Sequence, residues 1–318
     1  MGDRRAAGPR IVSVQKIWSR GEHCAFTDLA RFRGKWFCTF REAGAHAGTA
    51  GKVRVIESAD AASWRTAALF GEAGVDLRDP KLSVTPQGRL MLLMGGTPFG
   101  PESGAGRQPR AAFSADGRAW TRPRRALGDG DWLWRVTWFH SRAYGVSYRV
   151  ENERTWTIAL YESNDGLEYR LTCPLAVTGR PNEATIRFSP DGKALMLVRR
   201  EGGDASAWIG SARAPFTKWS WKQTGLRVGG PNFMTVPSGT WAACRDYGDA
   251  GPVTVIARMG RSSLRPLLTL PSGGDCSYPG LVWHGGLLWV SYYSSHGGKA
   301  SIYLARVRLP PVRAKRKI

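Results

Sequence analysis

The residues able to do chemistry in this chain recur at regular stations. Asn182-Glu183 opens one apolar run, and Arg199 closes the next, sixteen residues on. Between them Ser189-Pro190-Asp191-Gly192 reads as a tight turn, because Asp-Gly supplies the positive φ that a hairpin needs. The start of the first strand and the end of the second lie at the same end of such a hairpin. Glu183 and Arg199 therefore come out side by side. Comparable stations hold Asp28 with Arg41 and Glu42, Arg78 with Asp79, Arg149, Asn232 with Arg245 and Asp246, and Tyr278 with Tyr292. Together they form a set of guanidiniums, carboxylates and phenols, whereas the opposite hairpin tips carry Gly, Pro, Ser, Lys and Gln. Guanidinium forks grip carboxylate, sulfate or phosphate groups bidentately, so this set suits an anionic ligand. A structural network of ion pairs is the competing reading.

The elements that must position these groups are six hairpins. They run Leu29–Phe32 with Lys35–Phe40, Lys81–Thr85 with Arg89–Met94, and Val136–Phe139 with Ala143–Tyr148. The others are Ala184–Phe188 with Ala194–Val198, Phe233–Val236 with Thr240–Cys244, and Leu281–Trp283 with Leu287–Ser291. Their turns lie near residues 34, 88, 142, 192, 239 and 285, a spacing of 46 to 54 residues. Six units of that period predict an all-β, six-bladed β-propeller with four antiparallel strands to a blade. The whole chain, 1–318, reads as one propeller domain. Its strand Ile11–Trp18 is expected to close the last blade, and 309–318 to form a basic tail, a solvated end rather than a site. Second halves of the units carry Ser58-Ala-Asp60, Ser114-Ala-Asp116-Gly117 and Ser163-Asn-Asp165-Gly166, each followed by an aromatic, Trp64, Trp120 or Tyr169. Ser and Asp side chains hold their own backbone in such turns, so these residues read as structural.

Composition sets the outer limits. Lys and Arg number 46 against 25 Asp and Glu, a net charge of +21 that favours anionic ligands of any kind. Nucleic acid is expected only nonspecifically through this charge, since no basic stripe with interleaved exposed aromatics is visible. The five cysteines, Cys24, Cys38, Cys173, Cys244 and Cys276, are scattered with no CxxC. No disulfide framework, metal site or cofactor is expected, and a reducing, cytoplasmic setting fits best. The N-terminus has no apolar signal core and no stretch approaches a membrane span, so no membrane partner is expected.

These residues resemble the sialidase (neuraminidase) superfamily of six-bladed propellers along nearly the whole chain. The Ser114–Trp120 turn resembles its Asp box, one residue shorter than the common form. Asn182-Glu183 with Arg199 is similar to the stretch holding the family's nucleophile-assisting Glu and its second carboxylate-binding Arg. Arg245 falls where the third such Arg stands, and Tyr278, in Asp275-Cys-Ser-Tyr-Pro-Gly-Leu281, resembles the tyrosine nucleophile. Asp79-Pro80 resembles the Asp-Pro opening the second blade. At two places the chain departs from the family. The first blade begins Phe26-Thr27-Asp28-Leu29, without the family's Arg, and the loop 41–48 holds His46 where the family keeps its acid/base Asp.

The resemblance implies a retaining exo-glycosidase acting on an acidic glycan or glycoside, sialic acid-related or uronic. Tyr278 would be the nucleophile and Glu183 its base, with the acid/base partner drawn from His46, Asp28 and Asp79 in that order. Arg41, Arg78, Arg199, Arg245 and Asn232 would bind substrate. A phenol needs an adjacent base to attack, and a neutral nucleophile avoids the repulsion that a second carboxylate would meet beside an acidic sugar. A propeller that binds acidic glycans without cleaving them is the alternative.

Overall fold

Each hairpin turns where local chemistry allows it. Gly34 and Gly192 adopt φ of 76° and 77°, a conformation that costs a residue with a Cβ. In the computed structural model, which describes residues 8–99 and 106–311, the strands form four four-stranded sheets and one seven-stranded sheet. The seven-stranded sheet is two blades sharing one 17-residue strand, Ser220–Val236. Its first part pairs with Ser206–Ala212 as the outer strand of blade four, and its second part with Gly239–Gly248 as the inner strand of blade five. The architecture is a six-bladed antiparallel propeller, and among the described residues there is no helix to cross a membrane. Arg10–Trp18 pairs antiparallel with Ser301–Arg308 and so completes the sixth blade. Of the basic C-terminal stretch, 312–318 lies outside the described residues.

Alternation along each strand sends apolar side chains into cores shared by neighbouring blades, such as that of Phe37, Val55, Leu77 and Leu92 between blades one and two. The outer turns lock by their own side chains. Asp60, Asp116 and Asp165 each accept a hydrogen bond from a Ser hydroxyl two residues back and from two backbone amides ahead. All five cysteines are buried and unpaired.

One feature of the inner strands matters most for the site. In all six blades the register slips once, so that two inner-strand residues face a single partner. The pairs are Phe26-Thr27, Asp79-Pro80, Trp134-Arg135, Asn182-Glu183, Gly230-Pro231 and Tyr278-Pro279. A β-bulge of this kind re-aims side chains that a regular strand would send into the sheet face. Phe26, Asp79, Gly230 and Tyr278 take positive φ there. For the three that carry a Cβ, that strain costs about 1–3 kcal/mol each.

Candidate functional site

The sixfold bulge brings Tyr278 of blade six to Glu183 of blade four. The Tyr278 hydroxyl donates to Glu183 Oε1 at 2.6 Å. Arg199 Nη1 donates to Glu183 Oε2 at 2.8 Å and to Tyr278 Oη at 2.9 Å. The Gly230 amide donates to Glu183 Oε2 at 2.7 Å. Burial pushes the Glu183 carboxyl up, but the Arg199 charge and these hydrogen bonds outweigh it and hold the group below its ordinary value. Burial and the Glu183 charge raise the Tyr278 phenol well above its ordinary value, against the opposing pull of Arg199 and Arg245. The resting state is a neutral phenol with its proton aimed at an ionised carboxylate.

Rings hold Tyr278 in place. Phe26 meets it edge-on at 5.0 Å and Trp134 at 5.7 Å, while Arg245 lies over its face at 5.4 Å. Gly230 supplies the floor: a Cβ there would come within 2.6–2.9 Å of the Tyr278 ring, and φ is +57°. Gly230→Ala is therefore expected to push the ring off Glu183 and to destabilise the fold by about 1–3 kcal/mol. Thermal unfolding and a crystal structure check this, and an unmoved Tyr278 refutes it.

The other carboxyl at the bulge ring behaves differently. Asp79 is half-buried and, among the described residues, its carboxylate has no hydrogen-bond donor. Burial raises its pKa, Glu183 adds to this, and Lys81 and Arg78 offset it only in part. Lys81 itself is buried over the Trp134 ring at 4.4 Å, with its amine pushed down to about 8 by burial.

Several residues singled out from the sequence hold the scaffold instead. Asp28 is fully enclosed, accepting from Arg135 Nη1 at 2.7 Å and from the Leu82 amide at 2.8 Å, so it is no proton donor to the cleft. Arg41 is buried and spends its donors on Asp76, Ala45 O and Thr49 O. Asn232 bridges Arg187 Nη2 to the Pro279 carbonyl. Arg199 is saturated by Glu183, Tyr278, Glu201 and Tyr247, which leaves nothing for a ligand. Arg245 donates to the Cys276 carbonyl, Asp275 and Tyr293 through Nε and Nη2, and its Nη1 is free of partners among the described residues. Arg78 lies over Phe26 at 5.0 Å and makes one long contact, 3.4 Å to Asp76. His46 sits at the rim with Nδ1 2.7 Å from Asp275 Oδ2.

Sequence reasoning missed Asp275, Tyr293, His23, Lys81, Trp134 and Tyr247. Tyr292 was the wrong tyrosine of its pair: it stacks on Tyr303 in the core, whereas Tyr293 contacts Tyr278 at a ring distance of 6.0 Å. Strand alternation was the available signal, since only one of two successive residues can face the axis.

No protein-family model and no curated protein matches the chain. Solved structures do. A protein of unknown function from Dyadobacter fermentans superposes with a TM-score of 0.84 at 18% identity, over 95% of this chain and 99% of that one. An α-L-arabinanase from Penicillium chrysogenum, complexed with arabinobiose, gives 0.71 at 14% identity over 94% and 98%. A Trypanosoma rangeli sialidase in complex with the inhibitor DANA gives 0.70 at 11% identity, over 93% of this chain and 58% of that one. The chain shares its six-bladed propeller fold with these proteins. In this propeller the Tyr278, Glu183 and Asp79 side chains all come from the bulges of the inner strands.

Proposed function

We propose that the chain is a retaining exo-glycosidase that forms a glycosyl-tyrosine on Tyr278 and takes a sugar bearing an acidic group. The observation that carries this is the 2.6 Å bond from the Tyr278 hydroxyl to Glu183, with Arg199 bridging both. In the first step the phenol oxygen attacks the anomeric carbon and its proton passes to Glu183 Oε1. The glycosidic bond breaks, and the leaving oxygen takes the proton of Asp79. In the second step water attacks the anomeric carbon and gives a proton to Asp79, while the departing phenoxide recovers its own from Glu183. Asp79 replaces His46 as the first choice for acid/base because its raised pKa keeps a proton available while Glu183 stays ionised. Two carboxyls pushed in opposite directions are the usual arrangement for such a division of labour.

The acidic group of the sugar fits between Arg78 and Arg245. Their guanidiniums lie over Phe26 and Tyr278, two rings in edge contact, and among the described residues both keep N–H groups without a partner. Arg78→Ala is expected to weaken binding of an acidic sugar about tenfold, roughly 1.4 kcal/mol, and to leave neutral sugars little changed. Calorimetric titration of both ligand types decides it, and equal losses overturn the assignment. The reading as a whole is tested by a panel of α-ketosidic and uronic glycosides with the product anomer followed by NMR. Hydrolysis with retention supports it. Binding without cleavage, or inversion, sinks it, and the former leaves a glycan-binding propeller.

A further inference from the structure

A second cluster lies at the rim of the same face, between blades one and six. His23 begins the inner strand of blade one, His46 stands on the loop that follows the first hairpin, and Asp275 precedes the inner strand of blade six. His23 Nε2 is 2.9 Å and His46 Nδ1 2.7 Å from one and the same oxygen, Asp275 Oδ2. The three donor atoms all lie within 4.8 Å of one another. The carboxylate is oriented from behind, since its other oxygen, Oδ1, accepts from Tyr293 at 2.6 Å and from Arg245 at 3.3 Å.

We propose that His23, His46 and Asp275 bind a divalent transition metal ion of zinc's chemical class. Two imidazole nitrogens and one carboxylate oxygen are borderline ligands of the type that such ions select. Metal bonds of about 2.0–2.1 Å in tetrahedral geometry put neighbouring donors about 3.3 Å apart, so each nitrogen must draw back from the oxygen by about half an ångström. The His46 loop can supply that movement: Gly44 and Gly48 flank the histidine, and its side chain is 52% exposed. His23 and Asp275 are more enclosed, with side chains 13% and 28% exposed, and form the fixed part of the site. The hydrogen bonds to Oδ1 are the outer-shell support that ligating carboxylates usually have.

The ion would pin the glycine-rich loop across the seam between the first and last blades. The His46 ring touches Phe26 at 5.3 Å, and Phe26 in turn touches Tyr278, so an ordered loop forms one wall of the site beside the tyrosine. With three protein ligands, the coordination sphere keeps a position for water or a ligand oxygen. Metal binding here does not depend on the glycosidase reading.

The experiment is titration of the full chain with Co²⁺, followed by its visible ligand-field spectrum, and with Zn²⁺, followed by calorimetry. One ion per chain, a four-coordinate cobalt spectrum and a higher melting temperature are expected. His46→Ala, on an exposed loop and therefore safe for folding, should weaken binding about a hundredfold and abolish the spectrum, and Asp275→Asn should do the same. The buried cysteines offer no competing thiolate. No cobalt spectrum at millimolar metal, or one that survives His46→Ala, overturns the assignment.

Discussion

Tyr278→Phe should lower turnover by on the order of a thousandfold or more while the propeller stays folded. The reason is local. The substitution removes one oxygen and keeps the ring that Phe26, Trp134 and Gly230 hold in position. Glu183 retains Arg199 and the Gly230 amide, so the carboxylate stays ionised and paired. What disappears is the nucleophile. Glu183→Gln should cost a comparable factor through a different route, because a carboxamide cannot accept the phenol proton. Its melting temperature should fall further than that of Tyr278→Phe, since the enclosed Arg199 loses one of its two carboxylate partners and keeps only Glu201. A fluorinated glycoside that slows the second step should leave its sugar on the peptide containing Tyr278, as read by mass spectrometry. A label on Glu183, or substantial activity in Tyr278→Phe, would remove tyrosine from the mechanism.

The second large effect concerns the proton donor. Asp79→Asn should reduce turnover of a substrate with a poor, alkyl leaving group by about 10²–10⁴ and spare one whose leaving group needs no protonation. The pH profile carries the same information. Glu183 must be ionised, and its lowered pKa places the acidic limb below the usual carboxylate range. Asp79 must hold its proton, and its raised pKa places the basic limb above that range. Activity is thus expected to rise through the first value and fall through the second. Asp79→Asn should abolish the falling limb and leave the rising one. If the falling limb persists, the donor is another group.

Some of this architecture was legible residue by residue. The six turns recur because each needs Gly, Pro, Asn, Asp or Ser at fixed φ, a demand met within four residues of chain. Apolar alternation then sets which face of each strand is buried, so the blade count follows from the period alone. Blades four and five show the limit. Gly225 turns to φ +75° between Lys222 and Val228 without ending the strand, and there the chain runs on as one strand serving two sheets. Arg199 illustrates a different loss. Its position at a strand end was visible, but not that Glu201 and Tyr247 would take up its remaining donors, whereas Arg78 keeps its own.

By itself, then, the sequence determined what depends on near neighbours: the strands, the turns, the period, and which polar groups stand at strand ends. The tertiary structure alone decided which of those groups meet. Tyr278 and Glu183 are 95 residues apart and touch only because every inner strand carries the same bulge and swings its side chain to the axis. Asp28 and Arg135, 107 residues apart, cancel each other in the interior by the same closure. His46 and Asp275 join across 229 residues, at the seam where the ring of blades closes. The physical reason is common to all three. A charge is free or spent according to whether a partner arrives from another blade, and that depends on ring closure, which no local pattern of residues encodes.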